Sequence, residues 1–325
     1  MPAARLSRQV VVIGSANLDV TVTASRLPRE GETVLGGELR LSNGGKGANQ
    51  AVAALRAGAE VRLLAKIGRD PFGDRIYRDL VAAGLPADGL LRDESAPTGV
   101  ALIVIDRQGR NQIAVAPGSN RLLLPDVIAQ HEPFLTHGTV MLVQLEIPTV
   151  TVERALQFAK AHRMTIILNP APAFPLSDEL LRDVDLLTPN EIEAEVLTGI
   201  AVSDLPSAEA AAKALLLRGP RAIIVTLGAR GALLCTASVA RHLPAIPVEA
   251  VDTTAAGDAF NGALAAALAG ESQTDARDTN RLWVLQDAVR FANAAGALAA
   301  TRRGAQESLP TKVNIEKLLA EQPKP

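Results

Sequence analysis

The chain has 325 residues and a net charge of −2, enough length to bury a substantial core as one large α/β domain or two smaller ones, and no basic block to track a nucleic-acid backbone or an anionic membrane. Aromatic residues make up only 2% of it, which argues against single-strand binding by base stacking, and no apolar stretch approaches membrane-spanning length. The single cysteine, Cys235, cannot close an internal disulfide, so a buried thiol in the reducing cytoplasm is the expectation.

Residues 1–9 carry Arg5 and Arg8 but lead into a short strand-like run rather than a signal-peptide core. From there β-type runs alternate with helical patterns. A strand over 10–14 is followed by 19–42, rich in Thr, Val, Gly and Leu without helical period, then a helix over 47–57, a strand over 61–67 and a helix over 71–83. Segment 99–116 holds two strand-like runs, 100–105 and 111–115, around the polar tip 106–110, the pattern of a hairpin. Strands follow at 140–143, 165–169, 185–188 and 222–227, with helices at 149–162, 191–197, 208–218 and 256–268; polar 273–281 reads as a solvated connection. Near-continuous apolar strands between helices imply an α/β fold with a doubly wound, mostly parallel sheet covered on both faces. The two segments that break the alternation, about 17–43 and 98–117, read as a small β-sheet inserted into this single domain, 1–325, as a flap over a site near the ends of the main strands, or as edge strands with no role in binding.

Polar and small residues collect at strand ends and turns, where open α/β sheets place ligands. Gly14-Ser15-Ala16-Asn17-Leu18-Asp19 follows the first strand, and Asn17 and Asp19 alternate so that both face one side, able to bond neighbouring hydroxyls of a polyol; an Asn/Asp pair there also suits a plain turn. Asn43-Gly44-Gly45-Lys46-Gly47-Ala48-Asn49-Gln50-Ala51 is a Gly-rich helix entry that lacks the full P-loop pattern, Gly47 standing where Ser or Thr would follow the Lys. Asn190 and Glu193 have capping-box spacing, and two acidic groups nearby could instead hold Mg2+ through waters. Thr226-Leu227-Gly228-Ala229-Arg230-Gly231 is a strand-to-turn element.

The most informative stretch is Asp252-Thr253-Thr254-Ala255-Ala256-Gly257-Asp258-Ala259-Phe260-Asn261. Its small residues admit a ligand close to the backbone, and the turn feeds a helix whose free N–H groups and positive dipole end stabilise phosphate oxygens. Asp258 in the first turn reads as a cap or dipole partner, or as an ionised carboxylate that takes a proton from a substrate hydroxyl during phosphoryl transfer.

Together these strings resemble the ribokinase/PfkB family of sugar kinases, over about 10–310. The signatures are Gly44-Gly45-Lys46-Gly47-Ala48-Asn49 and Asp252 to Gly262, supported by Asn169-Pro170-Ala171-Pro172-Ala173 and Arg303-Gly304-Ala305-Gln306 with Ser308. The resemblance implies ATP-dependent phosphorylation of D-ribose at O5, with a related sugar, deoxyribose or a nucleoside as alternative substrate, or a sugar-binding regulator without turnover. It implies that Asn17, Asp19, Gly45, Lys46, Gly47, Ala48, Asn49 and Glu146 bind the sugar and that Asp258 is the base. The backbone amides of Ala255, Ala256 and Gly257 would form the anion hole. ATP would meet Asn190, Thr226 to Gly231 (through Leu227, Gly228, Ala229 and Arg230), Gly257 and Asn293, with Glu193 placing Mg2+ through water. A monovalent cation, usually K+, would sit among Asp252, Thr254, Ala299, Arg302, Gly304 and Ser308. The lid implies closure over the sugar and pairing into a homodimer. The chain departs from many relatives at Ala255, where they have Gly, and at Asn293 in the adenine slot.

Overall fold

A computed structural model of the chain describes residues 9–270 and 282–322; the segment 1–8 and the polar connection read at 273–281 lie outside them. The strands are β1 (Gln9–Ile13), β2 (Asn17–Ala24), β3 (Leu39–Gly44), β4 (Glu60–Gly68), β5 (Leu90–Asp93), β6 (Gly99–Asp106), β7 (Asn111–Ala116), β8 (Val140–Val143), β9 (Thr165–Leu168), β10 (Leu186–Leu187), β11 (Ala222–Thr226), β12 (Ala232–Thr236) and β13 (Ala240–Leu243). The longer helices are α1 (Lys46–Arg56), α2 (Pro71–Ala82), α3 (Thr149–Ala161), α4 (Glu191–Thr198), α5 (Leu205–Leu216), α6 (Ala256–Ala269), α7 (Leu282–Ala300) and α8 (Lys312–Ala320).

Nine strands form one sheet in the order β13-β12-β11-β10-β9-β8-β1-β4-β5. It is parallel from β11 to β5, and β12 and β13 add antiparallel pairs at one edge. The continuous apolar runs follow from burial on both faces. Val10, Val12, Val140 and Leu142 face a core shared with α1, α6 and α7, while Val11, Ile13, Met141 and Val143 face one shared with α3 and α5.

The second sheet, β3-β2-β6-β7, has four strands. The expected hairpin is present as β6 and β7, with Ile103 opposite Ile113. At its tip Asp106 Oδ1 accepts from Gln108 N and Arg110 N at 2.9 and 3.0 Å, and Gly109 supplies a positive φ of 78°. Cys235 is buried in β12, and burial pushes its thiol up to about 11, as an inert core residue requires.

Three elements differ from the sequence reading, and β5 and α8 are further elements that it does not contain. The strand expected at 185–188 is regular only over Leu186–Leu187, although the flanking Asp185 N and Thr188 N still donate to Ile166 O and Leu168 O at 3.1 and 3.0 Å. The helix expected from 208 starts at Leu205, where Asp204 and Ser207 form a capping box ahead of the apolar pattern. The β12–β13 hairpin extends what had read as a simple strand-to-turn element.

Candidate active site

The site lies where the C-terminal ends of β1, β8, β9 and β10 meet the starts of α1 and α6. The turn before α6 is anchored to the end of α7, with Val251 N and Asp252 N both donating to Ala300 O at 2.8 and 3.1 Å. Ala256 N is drawn onto Thr253 O at 3.2 Å, and the first bond along the helix runs from Ala259 N to Ala255 O at 2.8 Å. The amides of Gly257 and Asp258 precede that bond, at the positive end of the helix. Gly257 is exposed, and a Cβ built on it would meet no described residue within 4 Å, so among the described residues nothing crowds the turn.

One residue further on, Asp258 is buried. Its position follows from helix packing: Gly262, one turn along α6, lets α1 come so close that a Cβ there would stand 2.4 Å from Ala53 Cβ and 2.6 Å from Gln50 O. Asn49 and Gln50 of α1 are thereby brought to the Asp258 carboxylate. Asn49 Nδ2 donates to Oδ2 at 3.0 Å and Gln50 Nε2 to Oδ1 at 2.9 Å. Burial raises the pKa of Asp258, and the Lys46 ammonium and the two amides offset only part of that rise. A first-turn position alone suggests the opposite direction. The group is a stronger proton acceptor than an exposed Asp would be.

Asn17 and Asp19 share one face of β2, both buried, opposite Gly44 and Ser42 of β3. Asn17 Oδ1 accepts from Asn120 Nδ2 at 2.7 Å. Asp19 is pushed up to about 7 by burial, then by the nearby charges of Glu146, Asp258 and Glu307. Glu146 receives the Ser15 hydroxyl at 2.5 Å and Lys46 N at 3.0 Å. Gly45 caps α1 with a φ of 84°, and a Cβ would stand 2.7 Å from Asn17 N, so both conformation and space require glycine. Gly47 and Ala48 pack against the 14–15 backbone, Ala48 N donating to Ser15 O at 2.8 Å. Burial alone would lower the pKa of the half-buried Lys46, but Asp258, Glu146 and Glu193 outweigh it and raise the value.

Asn190 and Glu193 form a full capping box at the start of α4, each bond 2.8 Å. Glu193 is buried, and burial leads its pKa upward. Asn190 bridges to Thr226, from which the turn Gly228–Arg230 leads to Gly231. Leu227 is buried and Ala229 exposed; a Cβ on Gly228 would meet no described residue within 4 Å. The Arg230 guanidinium is turned away, onto Ser203 O at 2.6 Å and Glu191 at 2.5 Å. Asn293 of α7 uses its amide on Leu243 O at 3.0 Å, the carbonyl that crowds Gly231.

Behind the turn, Asp252 Oδ1 accepts from Thr254 N and Oγ1 at 3.0 and 2.5 Å, and Oδ2 accepts from Gly304 N at 2.9 Å. These donors, with the Arg40 guanidinium, overcome partial burial and hold Asp252 below its usual pKa. Arg302 N donates to Ala299 O at 3.2 Å, and Ser308 Oγ to Ala305 O at 2.8 Å. Thus 252–254 and 299–308 form one loop cluster adjoining α6.

Comparison with known proteins accounts for this arrangement. The model of the pfkB family carbohydrate kinases matches residues 7–312. This chain belongs to that family. The ribokinase of Haemophilus influenzae is 38% identical over 94% of this chain and 97% of its own length. The deoxyribokinase of Salmonella typhi is 36% identical over 93% and 95%. A structure of Arabidopsis thaliana ribokinase complexed with ribose and ATP superposes with a TM-score of 0.87 at 30% identity, over 97% of this chain and 100% of that one.

Against the background of a carbohydrate kinase, several amides assigned no role from sequence gain one. Gln50, Gln144, Asn169, Asn261 and Gln306 all bond within the polar cluster around Asp258. The signal for two of them was legible: Gln144 and Asn169 each follow directly on a buried apolar strand, at the sheet end where ligands bind.

Proposed function

We propose that this chain is an ATP-dependent kinase that transfers the terminal phosphoryl group of ATP to O5 of D-ribose, giving D-ribose 5-phosphate and ADP. The observation that carries the reading is Asp258 itself, buried at a helix start between an open glycine turn and a polar pocket. Asn17, Asp19, Gly45, Lys46, Gly47, Ala48, Asn49 and Glu146 would enclose the sugar, their acceptors and donors matching a ring of hydroxyls. The O5 hydroxyl attacks the terminal phosphorus, its proton passes to Asp258, and the bond from that phosphorus to the ADP oxygen breaks. The transition state is loose, so a carboxylate base suffices. Of the expected anion-hole amides Ala255, Ala256 and Gly257, Ala256 N is bonded to Thr253 O; the amide of Gly257, continuing to that of Asp258, would stabilise the transferred charge.

ATP would lie along the open side of Gly257 and Gly228, between Asn190 and the 226–231 turn. Asn293 would serve by fixing the Leu243 carbonyl beside Gly231. Glu193, bonded to Asn190 through Oε2, would place Mg2+ through water. The 252–254 and 299–308 cluster offers carboxylate, hydroxyl and carbonyl oxygens from Asp252, Thr254, Ala299, Arg302, Gly304 and Ser308, a donor set suited to a hard monovalent cation such as K+. Bound there, K+ would stiffen the peptide dipoles of the anion-hole turn.

The four-stranded sheet would act as the lid, excluding water on closure. Its exposed Leu39, Leu102, Ile113 and Val115 support pairing of two lids in a homodimer. Among the described residues no helix is long and apolar enough to cross a membrane, and dependence on ATP and a buried lone thiol suit the cytoplasm.

A deoxyribose kinase is the second reading, favoured by the deoxyribokinase match. Purified protein with ATP, Mg2+ and K+ is expected to phosphorylate ribose faster than deoxyribose, fructose or adenosine. Faster turnover of deoxyribose would select the second reading, and ribose binding without turnover would leave a sugar-binding regulator.

A further inference from the structure

We propose that Gln50 is the positioning residue for the catalytic base, its amide held by Gln144 on one side and fixing the Asp258 carboxylate on the other. The inference rests on the reading of Asp258 as the base. Gln50 is fully buried at 0% exposure. Its Nε2 donates to Asp258 Oδ1 and to Asn169 Oδ1, both at 2.9 Å, and its Oε1 accepts from Gln144 Nε2 at 2.6 Å. Asn169 cannot turn its own NH2 to Gln50, because Asn169 Nδ2 donates to Thr188 O at 3.1 Å. Two acceptors on one side and a donor on the other therefore permit a single orientation of the Gln50 amide.

Gln144 shows why this orientation matters. It too is fully buried, and its Oε1 has no hydrogen-bond partner among the described residues. Only the absence of a side chain at Gly14 makes room for that atom: a Cβ there would stand 2.3 Å away. An orphaned buried acceptor is costly, and an apolar side chain would fill the space without it. The residue makes sense as a donor to Gln50.

Beyond Asn169 the bonds run on. The Thr188 hydroxyl donates to Asn261 Oδ1 at 2.6 Å, and Asn261 Nδ2 donates to Gly257 O at 2.9 Å. The path leaves the Asp258 carboxylate and returns to the neighbouring peptide, so base and anion-hole turn are held in one frame built from α1, α6 and three strand ends. Removing Gln50 frees Oδ1 of Asp258 and withdraws a donor that favours its charged form.

The test is steady-state kinetics across pH on the full chain, comparing wild type with Gln50→Met and Gln144→Met, each checked for Tm and ribose binding. Gln50→Met is expected to lower kcat on the order of ten- to hundredfold while KM for ribose stays within about threefold, and to move the acid limb of the kcat profile to higher pH. Gln144→Met is expected to do the same to a smaller extent, and it carries the test should Gln50→Met fail to fold. An acid limb that stays in place, or a change confined to KM, in a variant with wild-type Tm overturns the proposal. Wild type that turns over none of the sugars overturns the kinase reading and this inference with it. Turnover of a different sugar leaves the comparison intact with that sugar as substrate.

Discussion

Asp252 and Asp258 bracket the same short turn, yet the fold moves their acidities in opposite directions. Asp252 is partly exposed and accepts from Thr254 N, Thr254 Oγ1 and Gly304 N, so its charge is stabilised in place and its task is to hold loops together. Asp258 is buried with two amides and the Lys46 charge, which leave part of the desolvation penalty standing. A carboxylate that is incompletely satisfied is primed to take a proton. Under the proposed mechanism the environment, not the residue type, would divide structural from chemical work.

The sharpest way to break the contrast is Asp258→Asn. Loss of the base is expected to cost on the order of 10²–10⁴ in kcat, while ribose still binds and Tm holds or rises because a buried charge is gone; substantial residual turnover would remove Asp258 from the base role. Next, Asp252→Ala should leave the Gly304 and Thr254 amides without their acceptor, lowering stability by about 1–3 kcal/mol and weakening activation in a K+ titration. Equal loss of activity at all K+ concentrations would detach Asp252 from the cation.

Asp19 extends the comparison to pH. With a folded value of about 7 against an ordinary 3.8, the folded state binds more protons than the unfolded state between those values. Stability should therefore fall as pH rises from about 4 to about 7. Asp19→Asn should flatten that slope in thermal melts and raise Tm at neutral pH, while weakening ribose binding. Asp252 has the opposite sign, its stabilisation being present above its ordinary pKa and lost as pH falls through the lowered one. The smallest effect is expected at the partly exposed Arg230–Glu191 pair: Arg230→Ala should change stability by at most about 1 kcal/mol, and little change in KM for ATP is expected because its guanidinium is engaged by Ser203 O and Glu191.

Much of this architecture was legible in the linear pattern. Apolar runs such as 10–13 and 140–143, set in an alternation with helical patterns, read as strands covered on both faces, and the 252–261 string marks a small-residue turn at a helix start. Where the reading fell short, the cause was local ambiguity. The apolar run 232–235 has no period that separates strand from helix, so the β12–β13 hairpin went unread. Asp204 and Ser207 begin α5 by capping, before any hydrophobic pattern exists. The bonds that Gln50 makes could not be read locally either, since each joins it to a partner far away in the chain.

Sequence alone determined the alternation of strand and helix, the positions of the glycine turns and the presence of Asp258 in a first helical turn, because these depend on side-chain type and short-range spacing. Only the tertiary structure decided which carboxylate is buried and which is satisfied. That outcome rests on Gly262 letting α1 approach α6 and on polar groups that converge from the ends of separate strands, and a pKa is set by such through-space neighbours rather than by neighbours along the chain.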